Sequence, residues 1–279
     1  MKTVTTMEEL RAALRGLSGP LGLVPTMGYL HQGHLSLAKA ARSECASVAA
    51  SIFVNPSQFG PNEDLASYPR DLERDLGLLE QAGVDLVWTP TAEEMYPPGY
   101  QTWVTVEEVS QPLEGAKRPG HFRGVTTVVA KLFNAVQPDK AYFGQKDAQQ
   151  VAVIRQMVKD LNFNIQIMVC PIVREMDGLA MSSRNVYLNP EERRAATVLF
   201  RALSLASRAY TDGERQAENL RQIVQQTIAE ESLAKLQYIS CANPLTLQEI
   251  QGEIQGTALL SMAVFFGKTR LIDNMIIGE

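Results

Sequence analysis

The sequence predicts an α/β protein, a Rossmann-like parallel sheet with helices on both faces, followed by a smaller α+β C-terminal domain. Three observations carry this. The first half alternates short apolar β-type runs with segments of helical periodicity. One of those runs, SVAASIFVN at 47–55, has the composition and length of a strand buried on both faces. The last third reverses the order, with helical segments first and apolar runs after them.

Taken in order, MKTVTTMEELRAALRG reads as a strand end and a short amphipathic helix, without the continuous apolar core of a signal peptide. An apolar run at 21–24 leads through a glycine-containing turn to a helical pattern at about 35–44. After the 47–55 strand comes a Pro/Asn-rich loop, PSQFGPNED, and then PRDLERDLGLLEQA at 69–82, with leucines at helical spacing and a stop at Gly83. VDLVWTP is the next strand. TTVVAKLFNAV at 126–136 is helical and ends before Pro138. KAYFGQKDAQQVAVIRQMVKDL reads as a short strand, a polar loop and a helix, and NIQIMVCPIVR as a strand. A boundary near 176–189 gives domains 1–184 and 185–279, the second covering the site of the first. In that second domain Asn189 caps a helix that Pro190 opens. ERQAENLRQIVQQTIAEE is another helix, and KLQYISCAN and ALLSMAVFFGKTRLIDN read as two late strands.

Of the 279 residues, 45% are hydrophobic and 20% charged, the make-up of an ordinary globular chain. The net charge of −5 comes without a Lys/Arg run, which argues against nucleic-acid binding, because neutralising a phosphate backbone needs clustered positive charge. No stretch of about 20 apolar residues is present to span a membrane, so the expected location is the cytoplasm. Cys45, Cys170 and Cys241 form no CxxC pair and read as buried thiols in a reducing compartment. Neither HExxH nor a Cys/His quartet appears.

Four stretches fall at strand ends or helix starts, where ligands bind in parallel α/β sheets. LVPTMGYLHQGH at 23–34 holds two of the three histidines, His31 and His34. Their spacing leaves two readings open, a helix cap or a grip on phosphate. In the second, His34 opens the helix, whose unpaired N–H groups and partial positive charge suit an anion. Gly28 and Gly33 then allow close approach, and the imidazoles stabilise charge on an α-phosphate under attack. GxxxxGK[ST] is missing, which excludes a P-loop hydrolase. GQKDAQQ at 144–150 places Lys146 and Asp147 at a helix start, with Gln150 one turn on. It is either an ordinary first turn or a phosphate contact beside an amide that holds a hydroxyl or carboxylate. AMSSRN at 180–185 is either a polar connector or a phosphate grip by Ser182, Ser183 and Arg184. VNPSQF at 54–59 offers Asn55 and Gln58 to a small polar substrate, though alone it is an ordinary loop.

Together, HxGH and the late MSSR resemble the HIGH and KMSKS pair of the nucleotidyltransferase superfamily that includes class I aminoacyl-tRNA synthetases. The ordered run PTMGYLHQGH, FVNPSQFGPNEDL, YPR, RPGHFRGVTTVV, YFGQKDAQQ and GLAMSSRNVYL resembles the pantoate–β-alanine ligase family over most of the chain. That resemblance implies ATP-dependent condensation of pantoate with β-alanine through a pantoyl adenylate, releasing AMP and pyrophosphate. It implies ATP binding by Met27, Gly28, His31, Gly33, His34, Gly144, Gln145, Lys146, Asp147, Val173, Met181, Ser182, Ser183 and Arg184. His34 is the family's proton donor. Physically, His31 and His34 fit better as hydrogen-bond donors to phosphate, since a carboxylate nucleophile needs no deprotonation. Lys146 and Arg184 join them as catalytic groups that hold the triphosphate and compensate the leaving pyrophosphate. Gln58 is implied to hold pantoate and β-alanine and Gln150 pantoate, with Asn55 beside them. Mg²⁺ is expected with ATP, held mainly by phosphates and waters, with Asp75 as a candidate carboxylate. Arg118 and His121 match a mobile or dimer-adjacent region whose role is open, and a homodimer is the family's habit. Ala180 stands where KMSKS has its first lysine, so the synthetase lysine roles do not transfer. Two rivals remain. An adenylyltransferase needs a cationic acceptor site where this chain offers glutamines. A non-catalytic nucleotide-sensing or RNA-binding module sits badly with the acidic charge and the full set of phosphate-facing groups.

Overall fold

The structure is a computed structural model describing residues 1–61 and 63–278; Asn62, which falls in the stretch PSQFGPNED expected to be a loop, and Glu279 lie outside the described residues. The chain divides into two units, Met1–Gly144 with Val153–Pro171, and Gln145–Ala152 with Ile172–Glu279.

In the first unit, strands β1 (Lys2–Val4), β2 (Leu21–Thr26), β3 (Ser47–Ile52), β4 (Leu86–Trp88), β5 (Lys140–Gly144) and β6 (Gln166–Cys170) form one sheet in the order β1-β4-β3-β2-β5-β6. Every pairing is parallel. The helices in chain order are α1 (Met7–Leu14), α2 (Gln32–Glu44), α3 (Leu72–Gln81), α4 (Ala92–Met95), α5 (Glu114–Lys117), α6 (His121–Val136) and α7 (Ala148–Asp160), of which residues 148–152 belong to the second unit. Right-handed crossovers decide their placement. α2 and α3 join strands that step one way along the sheet, whereas α1 and α6 join strands that step back, so the two pairs cover opposite faces. In agreement, α2 touches α3 and α1 touches α6. β3 is buried at Ser47, Val48, Ala49, Ala50 and Ser51, as a strand covered on both faces requires.

The chain leaves β2 towards β3 on one side, while β5 pairs with β2 on the other through Gly22 and Lys140. The topological switch therefore lies between β2 and β5, and their carboxyl ends flank the crevice where such sheets bind ligands. β2 runs out into residues 27–34, and β5 ends at Gly144. α6 begins at His121, a turn before the expected start at 126. Gly124 lies inside it, a residue that ordinarily weakens a helix. Here it is demanded, because a Cβ at Gly124 would overlap the Ser57 carbonyl of the loop crossing above.

The second unit holds α8 (Pro190–Ala195), α9 (Val198–Thr211), α10 (Ala217–Ala229) and an antiparallel sheet of β7 (Ala234–Ala242), β8 (Ala258–Phe266) and β9 (Thr269–Ile277). The expected Asn189 cap is present. Its side chain accepts the N–H groups of Glu191 and Glu192, and the Glu192 carboxylate accepts the Asn189 N–H in return. One expectation is corrected: ALLSMAVFFGKTRLIDN is not one strand but a hairpin. Gly267, at φ 56°, turns the chain so that Phe266 pairs with Thr269. Leu199 and Leu203 of α9, Leu220 and Val224 of α10, and Leu260, Met262 and Val264 of β8 form its core. Burying each such side chain contributes roughly 1.5–3 kcal/mol.

Candidate active site

After β2 the chain turns through two successive left-handed residues, Gly28 (φ 85°) and Tyr29 (φ 50°). Glycine takes that conformation freely, while tyrosine there costs of order 1–3 kcal/mol. Asp75 of α3 offsets the strain. Its Oδ2 accepts the Tyr29 N–H at 2.6 Å and its Oδ1 the Leu30 N–H at 2.7 Å. The residue is 1% exposed. Burial pushes its carboxyl above the ordinary value, against the opposing pull of those two N–H groups and of Arg74. Both oxygens of Asp75 are thus engaged in fixing the turn, the work of a loop anchor. Among the described residues, no group of three or more His, Cys, Asp or Glu side chains is placed to hold a metal ion. Asp75 is thus not joined, among the described residues, by the further side-chain ligands that a metal held by the protein alone would need.

The same turn delivers His31 and His34. α2 begins at Gln32, with His31 as its N-cap and His34 on its third residue, so His34 does not open the helix. The His31 Nδ1 accepts the Gly33 N–H at 3.1 Å, and the His34 Nδ1 accepts the His31 N–H at 3.3 Å. The cap that the sequence left open as one reading is therefore present, on His31, and α2 starts at Gln32 rather than near 35. The two rings lie 4.1 Å apart between centroids. A neutral imidazole that accepts at Nδ1 carries its proton at Nε2. The helix cap and the phosphate grip are therefore compatible: capping uses Nδ1 and sets each ring's donor at Nε2. The first turn of α2 holds no acidic residue to repel an anion.

A short 3₁₀ turn, Pro56–Gln58, carries the first glutamine. Asn55, 1% exposed, donates from Nδ2 to Gln58 Oε1 at 3.0 Å and to the Gly124 carbonyl at 3.2 Å. Its Oδ1 accepts from Ser57 Oγ and Tyr96 Oη, both at 2.8 Å. Burial pushes the Tyr96 phenol up to about 12, so it stays protonated well beyond neutral pH. Asn55 thus stands behind Gln58 as a brace. Gln58 Nε2 donates to the Met27 sulfur at 3.1 Å, a weak acceptor that a substrate oxygen readily displaces. No sequence signal pointed to Tyr96, which comes from a distant part of the chain.

Arg118 and His121 hold the backbone under Gln58. Arginine only donates, so His121 Nε2 accepts from Arg118 Nη1 at 3.1 Å and Nδ1–H donates to the Gln58 carbonyl at 2.8 Å. Arg118 also binds Glu63 through Nε at 2.7 Å and Nη2 at 2.6 Å. Burial first, and then the Arg118 charge, pushes the His121 imidazole down to about 4. Between that value and the usual value of about 6.5, the native state binds fewer protons than the unfolded chain. The stabilisation is therefore complete above about pH 6.5 and lost as pH falls through about 4, a change of roughly 3 kcal/mol. The expected result is that the stability gap between wild type and His121→Ala narrows over this window. Urea unfolding at several pH values measures it, and a gap independent of pH would contradict a neutral, buried His121.

In the second unit, Gln145–Asp147 form a 3₁₀ turn leading into α7, on which Gln150 lies. Lys146 Nζ stands 3.5 Å from Asp147 Oδ1, a loose pairing that leaves its charge available to an anion. An arm from Val173 to Met181 folds back on itself, with Arg174 bridged to Ala180 and the Met181 N–H donating to the Val173 carbonyl at 3.0 Å. Ser182 caps the next 3₁₀ turn, Ser183–Tyr187, by accepting the Arg184 N–H at 3.2 Å. Asn185 donates to the Ala180 carbonyl at 3.1 Å, while its buried Oδ1 has no partner among the described residues. That orphan acceptor, one residue past Arg184, was not singled out in the sequence.

A family model described as Pantoate-beta-alanine ligase matches residues 1–276. A protein named Pantothenate synthetase from Chloroflexus aurantiacus is 61% identical over 277 residues, covering 99% of this chain and 98% of that one. The crystal structure of pantothenate synthetase from Thermus thermophilus superposes with a TM-score of 0.94 at 49% identity, covering 99% of both chains. Pantoate-beta-alanine ligase from Francisella tularensis, complexed with Beta-gamma ATP and Beta-alanine, gives a TM-score of 0.80 at 36% identity, covering 99% of this chain and 97% of that chain. The parallel sheet, the small C-terminal sheet and the motifs all lie within these matches, and the chain belongs to the pantoate–β-alanine ligase family.

Proposed function

We propose that this chain joins pantoate to β-alanine through a pantoyl adenylate, with the two fixed histidines at the start of α2 acting on the α-phosphate. It is an ATP-dependent acid–amine ligase that releases AMP and pyrophosphate. A free carboxylate does not acylate an amine, because oxide is too poor a leaving group. In the first step a pantoate carboxylate oxygen attacks the α-phosphorus and pyrophosphate departs. In the second, the amine of β-alanine, freed of its ammonium proton, attacks the acyl carbon, the carbon–oxygen bond breaks, AMP leaves and the new amide nitrogen releases a proton to solvent.

The observation that carries this reading is the reciprocal cap of His31 and His34, which fixes both tautomers with Nε2–H as donor. Such donors stabilise negative charge developing on phosphate oxygens without the burial of a permanent cation. In the first step no proton needs to be taken from the carboxylate nucleophile, so there His34 serves as an electrostatic group rather than a base. Lys146 and Arg184, with Ser182 and Ser183, bind the phosphates and compensate the leaving pyrophosphate. Met27, Gly28, Gly33, Gly144, Gln145, Asp147, Val173 and Met181 complete the nucleotide contacts. Gln58 holds pantoate and then β-alanine, and Gln150 holds pantoate. Mg²⁺ arrives as part of the metal–ATP substrate, carried by phosphates and waters. A homodimer and a cytoplasmic location are part of the same proposal, the second supported by three cysteines that form no disulfide.

The test is an assay with ATP, pantoate and β-alanine in which each substrate is omitted in turn. AMP release that requires all three, with one pantothenate per AMP, is expected. ATP turnover indifferent to β-alanine would contradict it and favour an adenylyltransferase. Gln58→Ala is expected to raise the pantoate KM by about tenfold to a hundredfold, the worth of one hydrogen bond to a charged group, with the ATP KM unchanged. Equal effects on both constants would show that the amide does not contact pantoate.

A further inference from the structure

β9 reads TRLIDNMII, an aliphatic strand interrupted by two adjacent polar residues that are both buried, Asp273 (1% exposed) and Asn274 (3% exposed). Burying such groups is costly unless each is fully hydrogen-bonded, so their partners reveal what they are there to hold. Successive residues of a strand face opposite ways. Asp273 shares its face with Leu271 and Ile277, which belong to the core, and Asn274 faces the other side.

On that other side, Asn274 Nδ2 donates to the Gln145 carbonyl at 3.0 Å and to the Lys146 carbonyl at 2.8 Å. Its Oδ1 accepts from Gln145 Nε2 at 3.2 Å. One side chain therefore holds the backbone of the short turn that carries Lys146. On the core side, the Asp273 carboxylate binds Arg174 at 2.7 and 2.9 Å. Arg174 packs over the Phe200 ring and donates from Nη1 to the Gly178 carbonyl at 3.1 Å. Arg174 and Gly178 belong to the arm that ends at Met181 and leads into Ser182, Ser183 and Arg184. Asp273 also accepts the Asn274 N–H at 2.8 Å, which couples the two anchors.

We propose that Asp273 and Asn274 are positioning residues that tie both phosphate-binding segments of the second unit to β9: Asn274 directly, through the carbonyls of Gln145 and Lys146, and Asp273 through Arg174. Neither touches substrate. The inference rests on the reading of Lys146 and Arg184 as ATP-phosphate ligands. A lysine charge acts on phosphate only from the right place, and a turn released by its anchor loses that placement.

The experiment compares wild type, Asn274→Ala and Asn274→Ser by measuring the KM of each of the three substrates. Asn274→Ala is expected to raise the ATP KM by about tenfold to a hundredfold, with those of pantoate and β-alanine within about twofold. Asn274→Ser keeps one donor, serves one of the two carbonyls, and is expected to fall between, which keeps the test decisive should the alanine variant fail to fold. A purely structural role would lower the active fraction, and hence kcat, without singling out ATP. Three unchanged KM values, or three equal shifts, in a folded variant would overturn the inference while leaving the ligase reading intact. A wild type that makes no pantothenate would instead overturn the ligase reading and this inference with it.

Discussion

Replacing His34 by asparagine is expected to slow adenylate formation by about 10²- to 10³-fold, the usual effect of deleting one oxyanion-stabilising donor. The substitution separates the two tasks of the ring. Asparagine Oδ1 can still accept the His31 N–H that His34 Nδ1 accepts at 3.3 Å, so the start of α2 keeps its cap. What is lost is the donor at Nε2. ATP binding should stay within an order of magnitude, because the charge that the ring meets develops in the transition state. His34→Ala also removes the His34 half of the reciprocal cap, leaving the His31–Gly33 bond, and should add up to about 1 kcal/mol of destabilisation. Rapid-quench detection of pantoyl adenylate in a single turnover measures the effect. A wild-type rate in His34→Asn would leave the imidazole with capping alone.

The second large effect is expected at Asp75, where the anchor and metal-ligand roles predict different behaviour. Asp75→Asn is nearly isosteric, but an amide offers only one oxygen to the two N–H groups of Tyr29 and Leu30. One buried N–H is left facing another donor, and the charge assistance is lost for both. A stability loss of about 3 kcal/mol is expected, from one unmade and one weakened bond to a charged acceptor. With the turn released, Gly28 and Tyr29 relax from their left-handed conformation and His31 moves with them, so activity should fall sharply. Raising Mg²⁺ should not restore it. Recovery of activity at high Mg²⁺, with unchanged stability, would mark Asp75 as a metal ligand instead.

The parallel sheet was legible because buried strands and amphipathic helices alternate with different periods, and β3 shows its burial as an apolar run. Helix starts were less legible. α2 begins a turn early on a histidine cap, and α6 runs through Gly124, whose presence answers to the Ser57 carbonyl rather than to helix propensity. The β8–β9 hairpin was hidden because Gly267 and Lys268 are its entire turn, inside an otherwise apolar run. Much of the candidate site was named from motifs, but its supports were not read as supports: Asp75 was named only as a candidate metal carboxylate, and Tyr96 and Asn274 were not named. Asp75 meets Tyr29 across 46 positions, Tyr96 meets Asn55 across 41, and Asn274 meets Gln145 across 129. Local periodicity contains no information at those separations. A pair of polar residues inside LIDNMII is the one trace that the last of these leaves in the sequence.

The most direct test of the two-step chemistry follows the oxygen. Pantoate labelled with heavy oxygen in its carboxylate is turned over with ATP and β-alanine, and the products are weighed by mass spectrometry. If the carboxylate attacks the α-phosphorus and the amine then cleaves the acyl carbon–oxygen bond, each AMP carries one labelled oxygen and pyrophosphate carries none. Label in pyrophosphate or inorganic phosphate, or unlabelled AMP formed alongside pantothenate, would contradict the pantoyl adenylate.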